Sequence, residues 1–297
     1  MYDLIIVGCG PAGMTAAIYA RRAGKNVLVF EAKAYGGQIA NASVVENYPG
    51  VEKTTGFELA TKMYEQIKKL GAEVKFEMVK RITKDKKVIT DNNEYSAKAI
   101  ILATGAENRR LNLPNEVEFI GKGVSYCASC DGNFFKGKDV AVVGGGNTAL
   151  EDANYLASLC NKVYLIHRRE SFRGDDSLVN EIKADNNVEV IMNSNVIALE
   201  GDEVLNSIVV EDSEGNSRKL DISGLFIAVG QQPKNELFAD VIELTEKGYI
   251  DTKDGVHTNI DGIYVAGDTR EKTLRQLTTA VSDGSIAATT AIKEMEK

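Results

Sequence analysis

The sequence has few cysteines and histidines and no long apolar run. Its 297 residues include two histidines and four cysteines, of which only Cys127 and Cys130 lie close together. This distribution is unlike the disulfide framework of a secreted protein. The apolar runs are far too short to span a bilayer. Because no basic n-region or cleavage site precedes the first apolar residues, we expect a cytoplasmic protein.

Blocks of basic residues are absent as well. The formal net charge is -8, and both signs are spread along the chain. This pattern disfavours nucleic acid as a partner. What the sequence does have is length and a hydrophobic fraction of 43%. That is enough for two ordinary domains, each with a core that needs no disulfide to hold it.

Short apolar runs rich in valine and isoleucine alternate with segments of helical period. Uninterrupted runs of this kind are typical of parallel strands that are covered on both faces. Their alternation with helices favours a doubly wound α/β fold. The predicted strands are residues 4–7, 26–30, 100–103, 140–143, 163–166, 225–229 and 263–265.

Two motifs occur twice in the same order. Gly8-Cys9-Gly10-Pro11-Ala12-Gly13 is echoed by Gly144-Gly145-Gly146-Asn147-Thr148-Ala149, and residues 100–105 are echoed by 226–230. The last third lacks a glycine-rich start of its own. We therefore predict two Rossmann-like domains (three-layer ββα), the second inserted into the first. The expected bounds are 1–113 with 238–297 for the first and 114–237 for the second, and the two crossings are a plausible hinge.

The first glycine motif predicts a dinucleotide site. Gly8, Gly10 and Gly13 follow a strand and open a helix, which permits a tight turn and a close approach of the backbone to a pyrophosphate. Glu31 ends the next strand, where a carboxylate can accept hydrogen bonds from a ribose. We interpret Cys9, inside the loop, as a small buried filler.

The second glycine motif predicts another dinucleotide site with a different preference. His167 occupies the position that Glu31 has in the first site, and Arg168, Arg169 and Arg173 follow it. A carboxylate would repel a 2′-phosphate, whereas arginines offer it charge-assisted hydrogen bonds. The pattern favours NADP over NAD. The alternative is a solvated cationic patch at a strand end.

Cys127 and Cys130 are three residues apart, a spacing that brings both sulfurs to one face if a helix begins there. A helix N-terminus also lowers a thiol pKa and favours exchange. The pair is interpreted as redox-active. The alternatives are a zinc site, for which the other candidate ligands are isolated in sequence, and two inert cysteines. Asp131 can cap the helix or exchange a proton with a cysteine, and both roles stay open.

Taken together, the motifs resemble those of low-molecular-weight, bacterial-type thioredoxin reductases over nearly the full length. The matching segments are residues 8–13, Gly36-Gly37-Gln38, Glu46-Asn47-Tyr48-Pro49-Gly50, Ala103-Thr104-Gly105, residues 127–132, residues 144–149, His167-Arg168-Arg169 with Arg173, Ala266-Gly267-Asp268 and Arg275-Gln276. The larger thioredoxin and glutathione reductases carry their cysteine pair in the first domain, with wider spacing.

The resemblance implies FAD in the first domain, NADPH in the second, thioredoxin as the substrate and a homodimer. It implies that Cys130 faces the flavin, that Cys127 exchanges with thioredoxin and that Asp131 is the acid/base residue. The expected FAD contacts are Gly8, Gly10, Pro11, Ala12, Gly13, Glu31, Gly36, Gly37, Gln38, Asn47, Ala103, Thr104, Gly105, Gly267, Asp268, Arg275, Gln276 and Leu277. The expected NADPH contacts are Gly144, Gly146, Asn147, Thr148, His167, Arg168, Arg169 and Arg173.

Three segments depart from the family pattern. Tyr126-Cys127-Ala128-Ser129-Cys130 stands where Ala-Cys-Ala-Thr-Cys is common, Gln231-Gln232-Pro233 replaces a segment that usually contains histidine, and Leu277 stands where alanine is common. None removes a group that the chemistry needs. Partner preference is the property that they put in question.

The predicted function is hydride transfer from NADPH to FAD, then to the cysteine disulfide and then to thioredoxin. Because the cysteines lie in the domain that binds NADPH, they and the nicotinamide cannot meet the flavin at the same time. We therefore expect a rigid-body rotation between half-reactions. The alternatives are a flavin-dependent dithiol oxidase, a ferredoxin-linked reductase and a non-catalytic nucleotide-binding protein.

Overall fold

The computed structural model describes residues 1–42, 44–252 and 254–297. The strands are β1 Tyr2–Val7, β2 Val27–Phe30, β3 Glu73–Lys75, β4 Val79–Ile82, β5 Lys87–Thr90, β6 Glu94–Leu102, β7 Ala106–Asn108, β8 Val124–Ser125, β9 Asp139–Gly144, β10 Lys162–Ile166, β11 Val188–Ile191, β12 Ser194–Gly201, β13 Leu205–Asp212, β14 Ser217–Asp221, β15 Gly224–Ala228, β16 Gln231–Pro233 and β17 Ile263–Val265. The α-helices are α1 Pro11–Arg22, α2 Gly56–Lys69, α3 Ala128–Asp131, α4 Asn147–Ala157, α5 Asp176–Ala184 and α6 Leu277–Met295, and 3₁₀ turns cover Gly37–Asn41, Gly132–Phe135 and Glu236–Phe238.

The chain forms two compact units, and the second is inserted into the first. Unit 1 contains residues 1–107 and 232–297, and unit 2 contains residues 108–231. The sequence-based bounds were 113/114 and 237/238, a few residues further along the chain in both places. Each change of unit falls inside a short strand, β7 or β16, where we expected crossings without a rigid element. The assignment of FAD to one unit and NADPH to the other stays a prediction.

Unit 1 is built on a sheet with the order β3-β2-β1-β6-β5-β4, and β17 also pairs with β6. β6 is long enough to have two sets of partners. Its first residues pair antiparallel with β5, whereas Ile100 to Leu102 pair in parallel with β1 and β17. The parallel part carries fully buried aliphatic residues, as predicted from the apolar runs.

The helices α1 and α6 cover one face of this sheet and pack closely on each other. The contact is made of alanines with no exposed surface, among them Ala16, Ala20, Ala287 and Ala291. A Cβ at Gly284 would lie 2.2 Å from the carbonyl oxygen of Ala12, so only glycine lets the two backbones approach this far. The last helix of the chain thereby completes the core around the first.

Unit 2 repeats the parallel arrangement on a smaller scale. Its main sheet has the order β11-β10-β9-β15-β8, and all its strand pairs are parallel. A second sheet, β12-β13-β14, is antiparallel. Every strand that the apolar runs predicted is present, whereas the sequence reading missed this antiparallel sheet and the β4-β5 hairpin. In the described ranges, no helix is both long and apolar enough to cross a membrane.

The side chain of Asn235 has no exposed surface and joins three segments of unit 1. Its amide nitrogen donates to the carbonyl oxygens of Gly248 and Thr269, at 3.0 and 2.9 Å. Its amide oxygen accepts from the hydroxyl of Thr269 at 2.6 Å and from that of Thr104 at 3.3 Å. A buried amide with all its bonds made fixes the loops that flank β17.

We predict that Asn235→Ala destabilises unit 1. The change leaves two buried carbonyl groups without donors, at a cost of about 1–3 kcal/mol for each. Thermal unfolding followed by circular dichroism should show a lower midpoint than the wild type. Asn92→Ala is the matched control, because Asn92 is exposed and should melt like the wild type. Equal midpoints for the two variants would contradict the prediction.

Candidate functional site

The first glycine motif forms a tight turn between β1 and α1. Gly8 has a φ of 113°, and a Cβ there would lie 2.2 Å from the carbonyl oxygen of Ala103. A Cβ at Gly13 would lie 1.9 Å from the carbonyl oxygen of Gly8. Gly10 caps α1 without a side-chain hydrogen bond. The first backbone N–H groups of α1 are therefore not covered by a capping side chain, which is the arrangement that binds a pyrophosphate.

Glu31 lies directly beside this turn. Its carboxylate accepts hydrogen bonds from the backbone N–H groups of Cys9 and Lys33, both at 3.0 Å. Cys9 itself has no exposed surface, and burial raises the pKa of its thiol to about 12. The interpretation of Cys9 as a buried filler is confirmed. The two backbone bonds fix the Glu31 carboxylate at the end of β2, where a ribose is expected.

Other predicted FAD contacts are also brought together by the fold of unit 1. The N–H of Gly36 donates to the carbonyl oxygen of Cys9 at 2.8 Å, which brings the Gly36-Gly37 segment against the glycine motif. The amide nitrogen of Asn47 donates to the amide oxygen of Gln276 at 3.3 Å, although 229 residues separate them. Gln276 caps α6, so the helix that completes the core also positions this pair.

Asp268 and Arg275 are charged residues with unused hydrogen-bonding capacity. Asp268 Oδ1 lies 3.1 Å from Lys272 Nζ but accepts no hydrogen bond, and burial raises the pKa of this carboxyl. Arg275 donates to the carbonyl oxygens of Lys272 and Arg270 and stacks on Tyr249, while its buried Nε has no acceptor in the part of the chain that the structure describes. Buried groups of this kind fit a polar ligand such as FAD.

A cluster of ion pairs that the sequence did not predict supports the segment around Asp268. Asp283, on α6, is 5% exposed and accepts hydrogen bonds from Arg270, Lys272 and the N–H of Gly267. The paired cations hold the pKa of Asp283 below its usual range against the effect of burial. The cluster fixes the Gly267-Asp268 turn to α6.

The second glycine motif forms the same turn between β9 and α4. A Cβ at Gly144 would lie 2.4 Å from the carbonyl oxygen of Ala228. Gly146 caps α4 without a side-chain hydrogen bond, so the helix again begins with N–H groups that no side chain covers. Asn147 and Thr148, both exposed, are the first two residues of α4. The geometry fits the pyrophosphate of a second dinucleotide.

His167 is 4% exposed and packs beneath this turn. A Cβ at Gly145 would lie 2.2 Å from its ring, and its Nε2 donates to the carbonyl oxygen of Ser171 at 3.1 Å. Burial lowers the pKa of the imidazole, which favours its neutral form. The structure therefore places His167 as a support for the glycine turn. The position of His167 in the sequence, equivalent to that of Glu31 in the first site, did not reveal this role.

The three predicted phosphate-binding arginines, Arg168, Arg169 and Arg173, are exposed and follow β10. In residues 1–42, 44–252 and 254–297, no carboxylate lies within ion-pair distance of their guanidinium groups. They share one loop, and its backbone contacts the glycine turn through a hydrogen bond of 2.7 Å from Arg173 N–H to the carbonyl oxygen of Gly145. Uncompensated cations beside such a turn fit a 2′-phosphate.

Cys127 and Cys130 are joined by a disulfide, with 5.3 Å between their Cα atoms. Cys127 caps α3, which is a single turn, and its carbonyl oxygen accepts from the N–H groups of Cys130 and Asp131. Cys127 is partly buried and Cys130 is exposed. The disulfide agrees with the redox interpretation and not with a pair of zinc-binding thiolates.

Ser125 connects Asp131 with the backbone of Cys127. Its hydroxyl donates to Asp131 Oδ2 at 2.6 Å, and its oxygen accepts from Cys127 N–H at 3.1 Å. Burial raises the pKa of Asp131, and the bond from Ser125 opposes that rise. Asp131 makes no side-chain cap to the turn that follows it, so the capping role considered from the sequence is wrong. Its carboxyl is held instead beside the cysteine pair.

The segment that precedes the cysteines is anchored by a buried carboxylate. Glu116 is 1% exposed and accepts from the hydroxyl of Tyr126 at 2.6 Å and from the N–H groups of Leu111 and Leu113. Neither Ser125 nor Glu116 carries a motif that would have revealed its role. The only sequence signal for Ser125 is its place two residues before Cys127.

The remaining cysteine and histidine, Cys160 and His257, are not among the predicted site residues. Cys160 is 6% exposed, and burial raises the pKa of its thiol to about 11. His257 lies between Asp254 and Glu294, and its bond with Glu294 contributes most to raising the pKa of the imidazole. Glu294 also accepts from the hydroxyl of Tyr264. His257 therefore ties α6 to the loop before β17, which is a structural role.

Known proteins share both the sequence and the fold. Residues 2–284 match the family described as pyridine nucleotide-disulphide oxidoreductase. A thioredoxin reductase of Bacillus subtilis (strain 168) is 44% identical over 97% of this chain and 93% of its own length. The crystal structure of thioredoxin reductase from Streptococcus pyogenes MGAS5005 has a TM-score of 0.95 at 40% identity, covering 100% of this chain and 98% of that one.

A second solved structure, thioredoxin reductase from Giardia duodenalis, has a TM-score of 0.94 at 35% identity, with 100% and 99% of the two chains covered. The matches span both units and include the turn that carries the cysteine pair. The two glycine turns, the cysteine pair and these likenesses together show that the chain belongs to the pyridine nucleotide-disulphide oxidoreductase family.

Proposed function

We propose that this protein is an NADPH-dependent thioredoxin reductase that uses FAD and acts on thioredoxin as a cytoplasmic homodimer. The observation that carries the proposal is the Cys127–Cys130 disulfide with the Asp131 carboxyl held beside it. Relatives named thioredoxin reductase cover nearly the whole chain, which supports thioredoxin as the substrate. The homodimer rests on the family resemblance, and the compartment rests on the expectation from the sequence.

The family uses a flavin and a nicotinamide nucleotide, and we assign FAD to unit 1 and NADPH to unit 2. The uncapped start of α1, Glu31 and the polar groups of Asp268 and Arg275 support FAD in unit 1. The uncapped start of α4 and the unpaired arginines support NADPH in unit 2. Bound together, the two cofactors supply the transfer of two electrons from the nicotinamide to the flavin.

The chain's own residues then carry out thiol chemistry. Two electrons and two protons convert the Cys127–Cys130 disulfide into two thiols. We assign one of the proton deliveries to Asp131, whose raised pKa suits a proton donor. The Cys127 thiolate attacks the thioredoxin disulfide, and Cys130 then displaces the reduced thioredoxin and restores the intramolecular disulfide.

A rigid-body rotation between half-reactions is part of the proposal. The cysteine pair and the second glycine turn belong to the same unit, whereas the FAD residues belong to the other. The cysteine pair and the nicotinamide must face the flavin at different moments, so one fixed arrangement of the two units cannot serve both half-reactions. The passage of the chain between the units through only two segments, at 107/108 and 231/232, is compatible with such a motion.

We predict that Cys127→Ser and Cys130→Ser each reduce thioredoxin turnover to background, because both sulfurs are needed for exchange. Anaerobic bleaching of the flavin by NADPH should persist in both variants. Cys160→Ala is the matched control, since Cys160 is a buried cysteine outside the disulfide, and this variant should keep wild-type turnover. Thioredoxin reduction by either serine variant at the wild-type rate would contradict the mechanism.

A second prediction concerns pH. Ser125→Ala removes the hydrogen bond that favours the charged form of Asp131, so the pKa of Asp131 should rise further. A proton donor works below its pKa. The pH above which disulfide reduction slows should therefore move upward in the variant, as measured by stopped-flow across a pH series. Ser129→Ala is the control, because Ser129 contacts the Cys127 sulfur and not Asp131. A profile that shifts downward, or equally in both variants, argues against this role.

A third prediction tests the nucleotide preference. Replacing Arg168, Arg169 or Arg173 by Gln should weaken NADPH binding by about tenfold, the effect of one lost charge-assisted hydrogen bond. NADH binding should change little, because NADH lacks the 2′-phosphate. Arg218→Gln is the control, since Arg218 is an exposed arginine of the same unit that pairs with Glu189. Parallel losses for NADPH and NADH would show that the arginines do not recognise the phosphate.

A further inference from the structure

Asn147 and Asp175 form a reciprocal pair of hydrogen bonds in unit 2. The amide nitrogen of Asn147 donates to Asp175 Oδ2 at 2.9 Å, and the backbone N–H of Asp175 donates to Asn147 Oδ1 at 2.8 Å. Asn147 is the first residue of α4, and Asp175 directly precedes α5. The two bonds close a ring that ties the start of one helix to the start of the next.

This pair lies at one end of the loop that carries the three arginines. At the other end, His167 packs beneath Gly145. Between them, the N–H of Arg173 donates to the carbonyl oxygen of Gly145 at 2.7 Å. The backbone of Gly174 also lies close, because a Cβ there would be 2.8 Å from Asn147 Oδ1. The loop is therefore fastened at both ends to the glycine turn.

The arginine side chains depend on this backbone for their position. They are exposed and have no ion-pair partner among the described residues. Charge alone does not explain Asp175, because a carboxylate close to a phosphate site is unfavourable. It makes no side-chain cap to α5 either. Its observed contact is the bond with Asn147.

We propose that Asp175 is a positioning residue for nucleotide selection, which holds the arginine loop against the glycine turn so that the guanidinium groups reach a 2′-phosphate. The inference rests on the proposed binding of NADPH to unit 2. It makes Asp175 favourable for NADP binding despite its negative charge. A purely electrostatic role predicts the opposite sign, so the two explanations can be separated by substitution.

The experiment measures the binding of NADP⁺ and NAD⁺ to the oxidised holoenzyme by calorimetry, where no electrons are transferred. Asp175→Ala should weaken NADP⁺ binding by about three- to tenfold, the effect of one lost hydrogen bond. NAD⁺ binding should change less than twofold. Asp175→Asn keeps an acceptor for Asn147 and should bind NADP⁺ like the wild type. In turnover, Asp175→Ala should raise KM for NADPH and leave kcat unchanged.

Asn154→Ala is the matched control. Asn154 Nδ2 donates to Glu181 Oε2 at 2.8 Å, which is the same type of bond between the same two helices, farther along both. This variant should keep wild-type affinity for both nucleotides.

The inference is overturned if Asp175→Ala binds NADP⁺ as tightly as the wild type or more tightly, as loss of a repelling charge would produce. Equal weakening of NADP⁺ and NAD⁺ also overturns it, because the pair then supports the turn in general. A wild-type protein without preference for NADP⁺ overturns the proposed cofactor and the inference together. Preference in the wild type that persists unchanged in Asp175→Ala overturns the inference alone.

Discussion

The close contact between a glycine turn and the neighbouring strand is the constraint on which both units depend. In unit 1 a Cβ at Gly8 would lie 2.2 Å from the carbonyl oxygen of Ala103, and in unit 2 a Cβ at Gly144 would lie 2.4 Å from that of Ala228. In both units, a backbone carbonyl oxygen at the equivalent position contacts the first glycine of the turn. Because no side chain fits there, the turn can lie in close contact with the neighbouring strand. The next helix begins directly after the turn.

The residues that support the two turns differ in charge. Beside the first turn, Glu31 presents a carboxylate that two backbone N–H groups hold in place. Beside the second, the buried ring of His167 packs under the glycines, and the arginines that follow carry positive charges. The same backbone turn is thus flanked by a carboxylate in unit 1 and by cationic side chains in unit 2. The cysteine pair belongs to unit 2, the unit that carries the second turn, and is close in sequence to β8.

Sequence patterns predicted the parts of the molecule whose cause is local. The tight turns require the glycines, and the buried parallel strands require the apolar runs. The small disulfide ring requires the spacing of the two cysteines. The side-chain bonds of Ser125, Asp175 and Asp283 were not predictable in this way, because each joins segments whose proximity only the fold creates. His167 was predicted as an NADPH contact from its position relative to Ala149, and that position does not reveal that its ring lies beneath the backbone of Gly145. The antiparallel sheet of unit 2 was not predicted, because buried and exposed residues alternate along its strands and form no continuous apolar run.

The packing of α6 on α1 has a consequence for the order in which the chain matures during synthesis. β1 and α1 are synthesised before unit 2, yet the alanine surface of α1 packs against α6, which is synthesised after unit 2. Unit 2 has all its residues by position 231, before β17 and α6 exist. Unit 1 therefore begins before unit 2 and is completed after it, and unit 2 can fold while the sheet of unit 1 still lacks β17 and the cover that α6 provides.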